Sequence, residues 1–261
     1  MRGIVHDCIV ELLSRRVIYV FAALTVIGLL STLAASQVDI AWQGAELDMS
    51  DVNSSLGNIF LGGFNKFMSF LVFLSVMITA GQIPGMLIRG RADYYLSKPI
   101  SRASLLMSKA LGIWLVYGAV MVVSVAINYV FACLLFGIYD ARIVYVIAMN
   151  LLGFVIWLSV TTFAGIVTGS TGMTIMAAFF VWIAQSVLDW HEGIGQLVDS
   201  DVVRYIVDAF YYIIPKTGQI IDMTGDLTSG NSPDWLPLWS SLIFAAVIFY
   251  LAVYIFKRKD Y

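Results

Sequence analysis

Six runs of apolar side chains, each near the length needed to cross a bilayer, divide this 261-residue chain at 17–35, 67–88, 110–136, 143–168, 173–188 and 238–256. A hydrocarbon core about 30 Å thick takes roughly 20 residues of helix. No water is available there to pair a free backbone N–H or C=O, so a crossing segment has to be helical or part of a closed barrel. The runs are too long and too evenly apolar for barrel strands. The sequence therefore predicts an all-α integral membrane protein with six transmembrane helices. Charged residues make up only 12% of the chain, about half the share of a soluble domain, and mean hydropathy is +0.88. The fifth run is short, and Trp190 can extend it to the interface. The third and fourth exceed one crossing, so they tilt or project beyond the membrane.

The charges give the orientation. With the N-terminus inside, segments 1–16, 89–109, 169–172 and 257–261 carry Arg2, Arg15, Arg16, Arg89, Arg91, Lys98, Arg102, Lys109, Lys257, Arg258 and Lys259. Of the 15 Lys and Arg, only Lys66, Arg142, Arg204 and Lys216 stay outside. Lys and Arg concentrate in short cytoplasmic loops, so both termini are expected to be cytoplasmic, in a plasma or inner membrane. Ile4, Val5, Cys8, Ile9, Leu12 and Leu13 recur at helical spacing, with Asp7, Glu11, Ser14 and Arg15 opposite. Segment 1–16 thus reads as an interfacial amphipathic helix. "STLAAS" at 31–36 has the small residues of a signal-cleavage site. The run before it is too long for a signal peptide, and the expectation is that it stays.

The loops are unequal. Segment 37–66 is a long acidic outer loop whose end, "NIFLGGFNK", leads helically into the second crossing. "TGSTG" at 168–172 is a tight inner turn. Segment 189–237 is the longest outer piece; its stretch 202–215 has helical spacing, ends at Pro215, and lies at the interface or dips into the membrane.

The most basic segment joins the second and third crossings. The residue before Pro99 is biased away from helix, so the chain breaks at Lys98, and Ser101 can cap a new helix. A short helix over 86–96, held between two crossings, would act as a lever. The plainer reading is a loop whose cations hold orientation and meet anionic lipid. "LSKPISRASLLMSKALG", residues 96–112, in this position resembles the signature of the type-2 ABC transporter permease family. The plan of the whole chain is similar too: interfacial helix, six crossings, both ends inside, a large outer segment before the last crossing. The resemblance implies a single permease domain over 1–261, with 86–96 as a coupling helix. It implies Arg89, Arg91, Asp93, Tyr94, Lys98, Pro99 and Arg102 as the contacts to a cytoplasmic ABC ATPase subunit. It further implies pairing with a second copy or a related permease. Where that family often has a Glu, this loop reads "GMLIRGRADYY", acid-free until Asp93.

No G-x-x-x-x-G-K-[ST] is present, so ATP and Mg would be bound by the partner and no cofactor by this chain. Almost no ionisable residue falls inside the crossings, which disfavours an ion-coupled carrier. Cys8 and Cys133 are too far apart in the plan to pair, and no metal-ligand spacing occurs. Asp189, His191 and Glu192 in "DWHEG" lack a second histidine on their side of the membrane. Ser170 has no histidine to activate it. No catalytic or metal residue is expected, and no nucleic-acid partner. Asn128, Asn150 and Gln185, with Thr161 and Thr162, are polar groups inside crossings that either line a pathway or bond neighbouring helices. The sequence-level expectation is a permease subunit of an ATP-driven exporter. A non-transporting scaffold that recruits a cytoplasmic partner is the alternative.

Overall fold

The computed structural model describes residues 17–36, 49–88, 101–137, 139–188, 210–211 and 214–259. The expected interfacial helix 1–16 lies outside these residues, as does 89–96 of the coupling helix. Eight helices follow in order: α1 (Val17–Ser36), α2 (Met49–Thr79), α3 (Gln82–Met86), α4 (Arg102–Phe136), α5 (Ile143–Thr168), α6 (Thr171–Leu188), α7 (Thr217–Ser229) and α8 (Leu236–Arg258). No strand occurs among the described residues. The protein is helical and multi-pass: α2 with α3, α4, α5, α6 and α8 are long and apolar enough to cross a bilayer. That is five crossings among the described residues, where the sequence predicts six. α1, a 20-residue apolar helix, is about 30 Å long at 1.5 Å per residue and stands outside those five.

α5 is the hub. It packs against α2, α3, α4, α6, α7 and α8, and buried residues occur around its whole circumference, among them Val146, Asn150, Phe154, Ser159, Thr162 and Ile166. Met68, Leu71, Leu106, Ile113, Met121 and Phe154 form the core between α2, α4 and α5. α1 lies against α4, with Phe21 edge-on to Tyr117 at 6.1 Å between ring centroids.

Several boundaries differ from the sequence reading for local reasons. The second crossing was expected over 67–88. Its helix instead starts at Met49 and stops at Thr79, and α3 follows after a break at Ala80–Gly81. Pro84 explains the break: it has no N–H, and its ring would collide with the carbonyl of residue 80 in a continuous helix. Met86 is the last residue of α3, and Leu87 and Ile88 form a bend. The described start of the expected coupling helix is therefore the end of another helix. The third crossing was expected over 110–136 with a helix capped by Ser101 leading into it, and α4 does begin at Arg102. Ser101 caps it, its Oγ accepting the Ser104 amide at 3.2 Å. The outer segment 189–237 contains α7, a helix the sequence reading leaves as loop.

At the α3 level the packing is tight. A Cβ added to Gly165 of α5 would lie 3.0 Å from Pro84 Cδ and 3.3 Å from Ile83 Cβ. Gly153, one helical face away, has nothing within 4 Å of the same position. Gly165→Val is expected to cost about 1–3 kcal/mol through overpacking, read as a lower Tm of the detergent-purified protein. Gly153→Ala is expected to leave Tm unchanged.

Candidate functional site

Three groups of polar contacts bear on α5. One lines a cleft between α2, α5, α6 and α7. The others are two clasps, one at each end of α5.

The cleft encloses a cavity of about 150 Å³. Its walls are mainly apolar and aromatic: Phe73 and Met77 from α2, Trp157 from α5, Phe179 and Trp182 from α6. Gly153 opens the floor and α7 closes the far end with Thr217, Gly218, Ile220, Ile221 and Thr224. α2 and α6 meet across the mouth through Phe73 and Phe179, edge-to-face at 6.3 Å. Phe73, Phe179 and Trp182 are 37%, 40% and 49% exposed, so the mouth faces outward from the bundle. None of the described lining residues is ionisable.

Two polar groups enter this cavity. On one wall Asn150 Nδ2 donates to Asn65 Oδ1 at 2.8 Å and to the Val146 carbonyl at 2.9 Å. Ser69 Oγ lies 2.9 Å from Asn150 Oδ1, and Asn65 Nδ2 donates to the Ile221 carbonyl of α7 at 3.0 Å. This chain ties α2, α5 and α7 together. On the other wall Thr217 Oγ1 donates to Gln185 Oε1 at 2.5 Å. Gln185 is buried, and its Nε2 has no hydrogen-bond partner among the described residues.

At the acidic end of the bundle, the turn between α4 and α5 carries Asp140 and Arg142. Arg142 Nε donates to Asp140 Oδ1 at 2.9 Å, and Arg142 Nη1 donates to the Thr228 carbonyl near the end of α7. Tyr129 donates to the Asp140 carbonyl at 2.7 Å. The hydrogen bonds from Arg142 hold the Asp140 carboxyl below its ordinary value against the opposing effect of burial. At the basic end, Arg102 Nη1 donates to the Lys259 carbonyl at 2.5 Å, and Lys259 Nζ donates to the Ile166 carbonyl at 2.9 Å. The start of α4, the end of α8 and the C-terminal carbonyls of α5 are thereby joined, the last with a cation where the helix dipole favours one.

The sequence-predicted polar residues part company here. Asn150 and Gln185 share the cleft. Asn128 does not: its Nδ2 donates to the Ser124 carbonyl at 2.9 Å within α4, beside Gly28 of α1, where an added Cβ would lie 2.4 Å from Asn128 Oδ1. It serves the α1–α4 seam. Thr161 bonds back to carbonyls of its own helix. Arg102 sits in the basic-end clasp, while Arg89, Arg91, Asp93, Tyr94, Lys98 and Pro99 lie outside the described residues, as do Asp189, His191 and Glu192. Asn65, Ser69, Thr217 and Thr224 were missed. The i, i+3, i+7 spacing of Ile220, Met223 and Leu227 before Gly230 was the available signal for α7.

Residues 46–261 match the family described as Protein of unknown function (DUF2705). The chain belongs to that family. No curated protein matches it. The resemblance to the type-2 ABC transporter permease family is thereby corrected: the DUF2705 match runs through 96–112, and no ABC transporter family matches. The shared pattern has a physical source. A basic loop that holds orientation, a Pro that breaks helix and a Ser that caps the next one are what any tight inner connection between two crossings requires.

Two outcomes test the geometry of this DUF2705 protein. Asn150→Ala leaves Asn65 Oδ1 without its donor and is expected to cost about 1–2 kcal/mol, measured by chemical or thermal unfolding in detergent. Asp140→Asn removes the charge that holds Arg142 over α7, and amide exchange in 217–229 is expected to rise. Because the folded carboxyl is held low, its contribution is complete above the ordinary value of about 3.9 and is lost as pH falls through the lowered one. Wild-type exchange in 217–229, corrected for intrinsic rates, is expected to be flat from about pH 7 to 5 and to rise only in stronger acid.

Proposed function

We propose that this protein is the membrane-spanning subunit of an exporter driven by a separate cytoplasmic ATP-hydrolysing subunit, in the plasma or inner membrane. The observation that carries the reading is the junction at the basic end of the bundle. Both elements that flank the basic loop are fixed to the hub helix. α3 reaches α5 through the close Gly165–Pro84 contact, and α4 reaches it through Arg102, Lys259 and the Ile166 carbonyl. A force on the loop would be delivered to α5, which lines the cleft, and packed helices respond to such a force as near-rigid bodies.

The charge distribution supports an inside location for that end, with α1 as a sixth crossing and both termini cytoplasmic. The uncharged character of the described cleft lining suits energy supplied from outside the membrane rather than by a coupled ion. ATP and Mg belong to the partner, because the chain has no phosphate-binding loop. A second copy or a related chain completes the pathway, and Arg89 and Arg91 join Arg102 at the ATPase surface.

The test is purification of the tagged chain from its native membrane, followed by assay of ATP hydrolysis in the eluate. Co-purifying hydrolysis is expected for wild type, and its loss for the double variant Arg89→Glu, Arg91→Glu. Arg102→Ala is expected to keep the ATPase bound and to lower transport in proteoliposomes several-fold. Association without any hydrolysis would favour a recruiting scaffold, and hydrolysis unaffected by charge reversal would remove the loop from the docking surface.

A further inference from the structure

We infer that the cleft between α2, α5, α6 and α7 is a binding site for an uncharged amphiphile that presents a carbonyl oxygen, an ester or amide, to a cluster of donors at the α6–α7 junction. The argument is an accounting of hydrogens. Within the cavity the hydroxyl hydrogen of Thr217 goes to Gln185 Oε1, that of Thr224 to the Ile220 carbonyl, and that of Ser69 to Asn150 or Asn65. Asn150 Nδ2 has two acceptors. Apart from the indole N–H groups of Trp157 and Trp182 in the wall, the donors left over converge at one place. Gln185 Nε2 is one: Gln185 lines the cavity, is 5% exposed and has no partner for that atom among the described residues. The first turn of α7 supplies the others. Thr217 and Gly218 line the same cavity, no side chain caps that helix start, and amides in a first turn have no intrahelical acceptor. A buried amide donor without an acceptor costs about 1–3 kcal/mol, and an oxygen acceptor on a ligand would remove that cost.

The rest of the cavity sets the class of ligand. Its described lining carries no charge, and the buried Lys216 beside Thr217 is engaged over the Tyr211 ring, 3.8 Å from its centroid, so a carboxylate or phosphate would enter a low-dielectric space without a counter-ion among the lining residues. A neutral carbonyl is solvated by the same donors without that penalty. The body of the ligand meets Phe73, Met77, Trp157, Phe179 and Trp182. A cavity of about 150 Å³ has room for a ring or a short stretch of chain, comparable with apolar cavities that take up benzene, and the outward-facing mouth lets a longer tail lie along the bundle surface. Gln185 lies in the last described turn of α6, away from the middle of the helix. The inference deepens the transport reading by naming a substrate class, but the binding is a property of this chain alone.

The full-length chain in nanodiscs, without any ATPase, is titrated with methyl 9,10-dibromostearate, with 9,10-dibromostearic acid, and with a phosphatidylcholine brominated on one chain. Quenching of tryptophan fluorescence is the readout. The ester is expected to quench saturably and with higher affinity than the ionised acid. Gln185→Leu is expected to weaken ester binding roughly tenfold. Gly153→Leu projects into the open floor of the cavity and is expected to abolish the saturable component while leaving helix content intact. Should the brominated phospholipid alone give the component that depends on Gln185 and Gly153, the acyl carbonyl comes from bilayer lipid. Tighter binding of the acid, or quenching equal in wild type and both variants, overturns the inference. Failure of an ATPase to associate with the chain leaves this result unaffected, so the two readings fail separately.

Discussion

A helix surrounded by other helices cannot send its polar side chains to water, and α5 is arranged around that constraint. Ser159 and Thr161 return their hydroxyl hydrogens to carbonyls one turn back, which closes the account locally. Asn150 is too large and has too many groups for that solution, so it reaches across to Asn65 and Ser69 of α2. Asn65 in turn reaches the Ile221 carbonyl of α7. One buried amide thus determines which face of α2 meets α5, and where α7 sits above both.

α7 completes the structure on the acidic side. It is held at its end by Arg142 and at its start by Gln185 and Ser241, whose Oγ accepts the Lys216 amide at 2.8 Å. Apolar contacts of Ile220 and Met223 with Met149, Ile156 and Leu238 seat its inner face. A 13-residue helix is marginal on its own, so its position depends on these contacts. The same arrangement leaves a gap between α2 and α6 that Phe73 and Phe179 span at its rim. The cleft is the space left because α6 packs on α5 and α7 while no extensive contact joins it to α2.

The two ends of α5 are treated differently. At the acidic end an ion pair in a turn holds a short helix in place. At the basic end, side-chain cations accept the burden of the helix carbonyls and connect three chain segments that are remote in sequence. The lateral cleft lies between these anchor points, so displacement at one end is communicated to its walls through a single continuous helix rather than through loops.

Much of this was written in the residues. Runs of apolar side chains set the helices of α4, α5, α6 and α8, because length and the need to pair every backbone group leave no other choice in a bilayer. Gly137 and Gly169, at φ of 67° and 63°, mark where α4 and α5 stop, and Ser101 marks where α4 starts. Pro84 could have shown the break after Thr79, but an apolar run continuing across it concealed the break. α7 was concealed for the opposite reason: its alternating Thr, Gly and Asp residues look like a loop until a surrounding bundle offers its four apolar positions a place to be buried. Asn128, Asn150 and Gln185 are alike in sequence, each a lone amide in an apolar run. Which of them packs a seam and which faces a cavity follows from which helices become neighbours. That is a long-range outcome, fixed by side-chain volume and hydrogen-bond pairing between segments up to 157 residues apart, and no local pattern carries it.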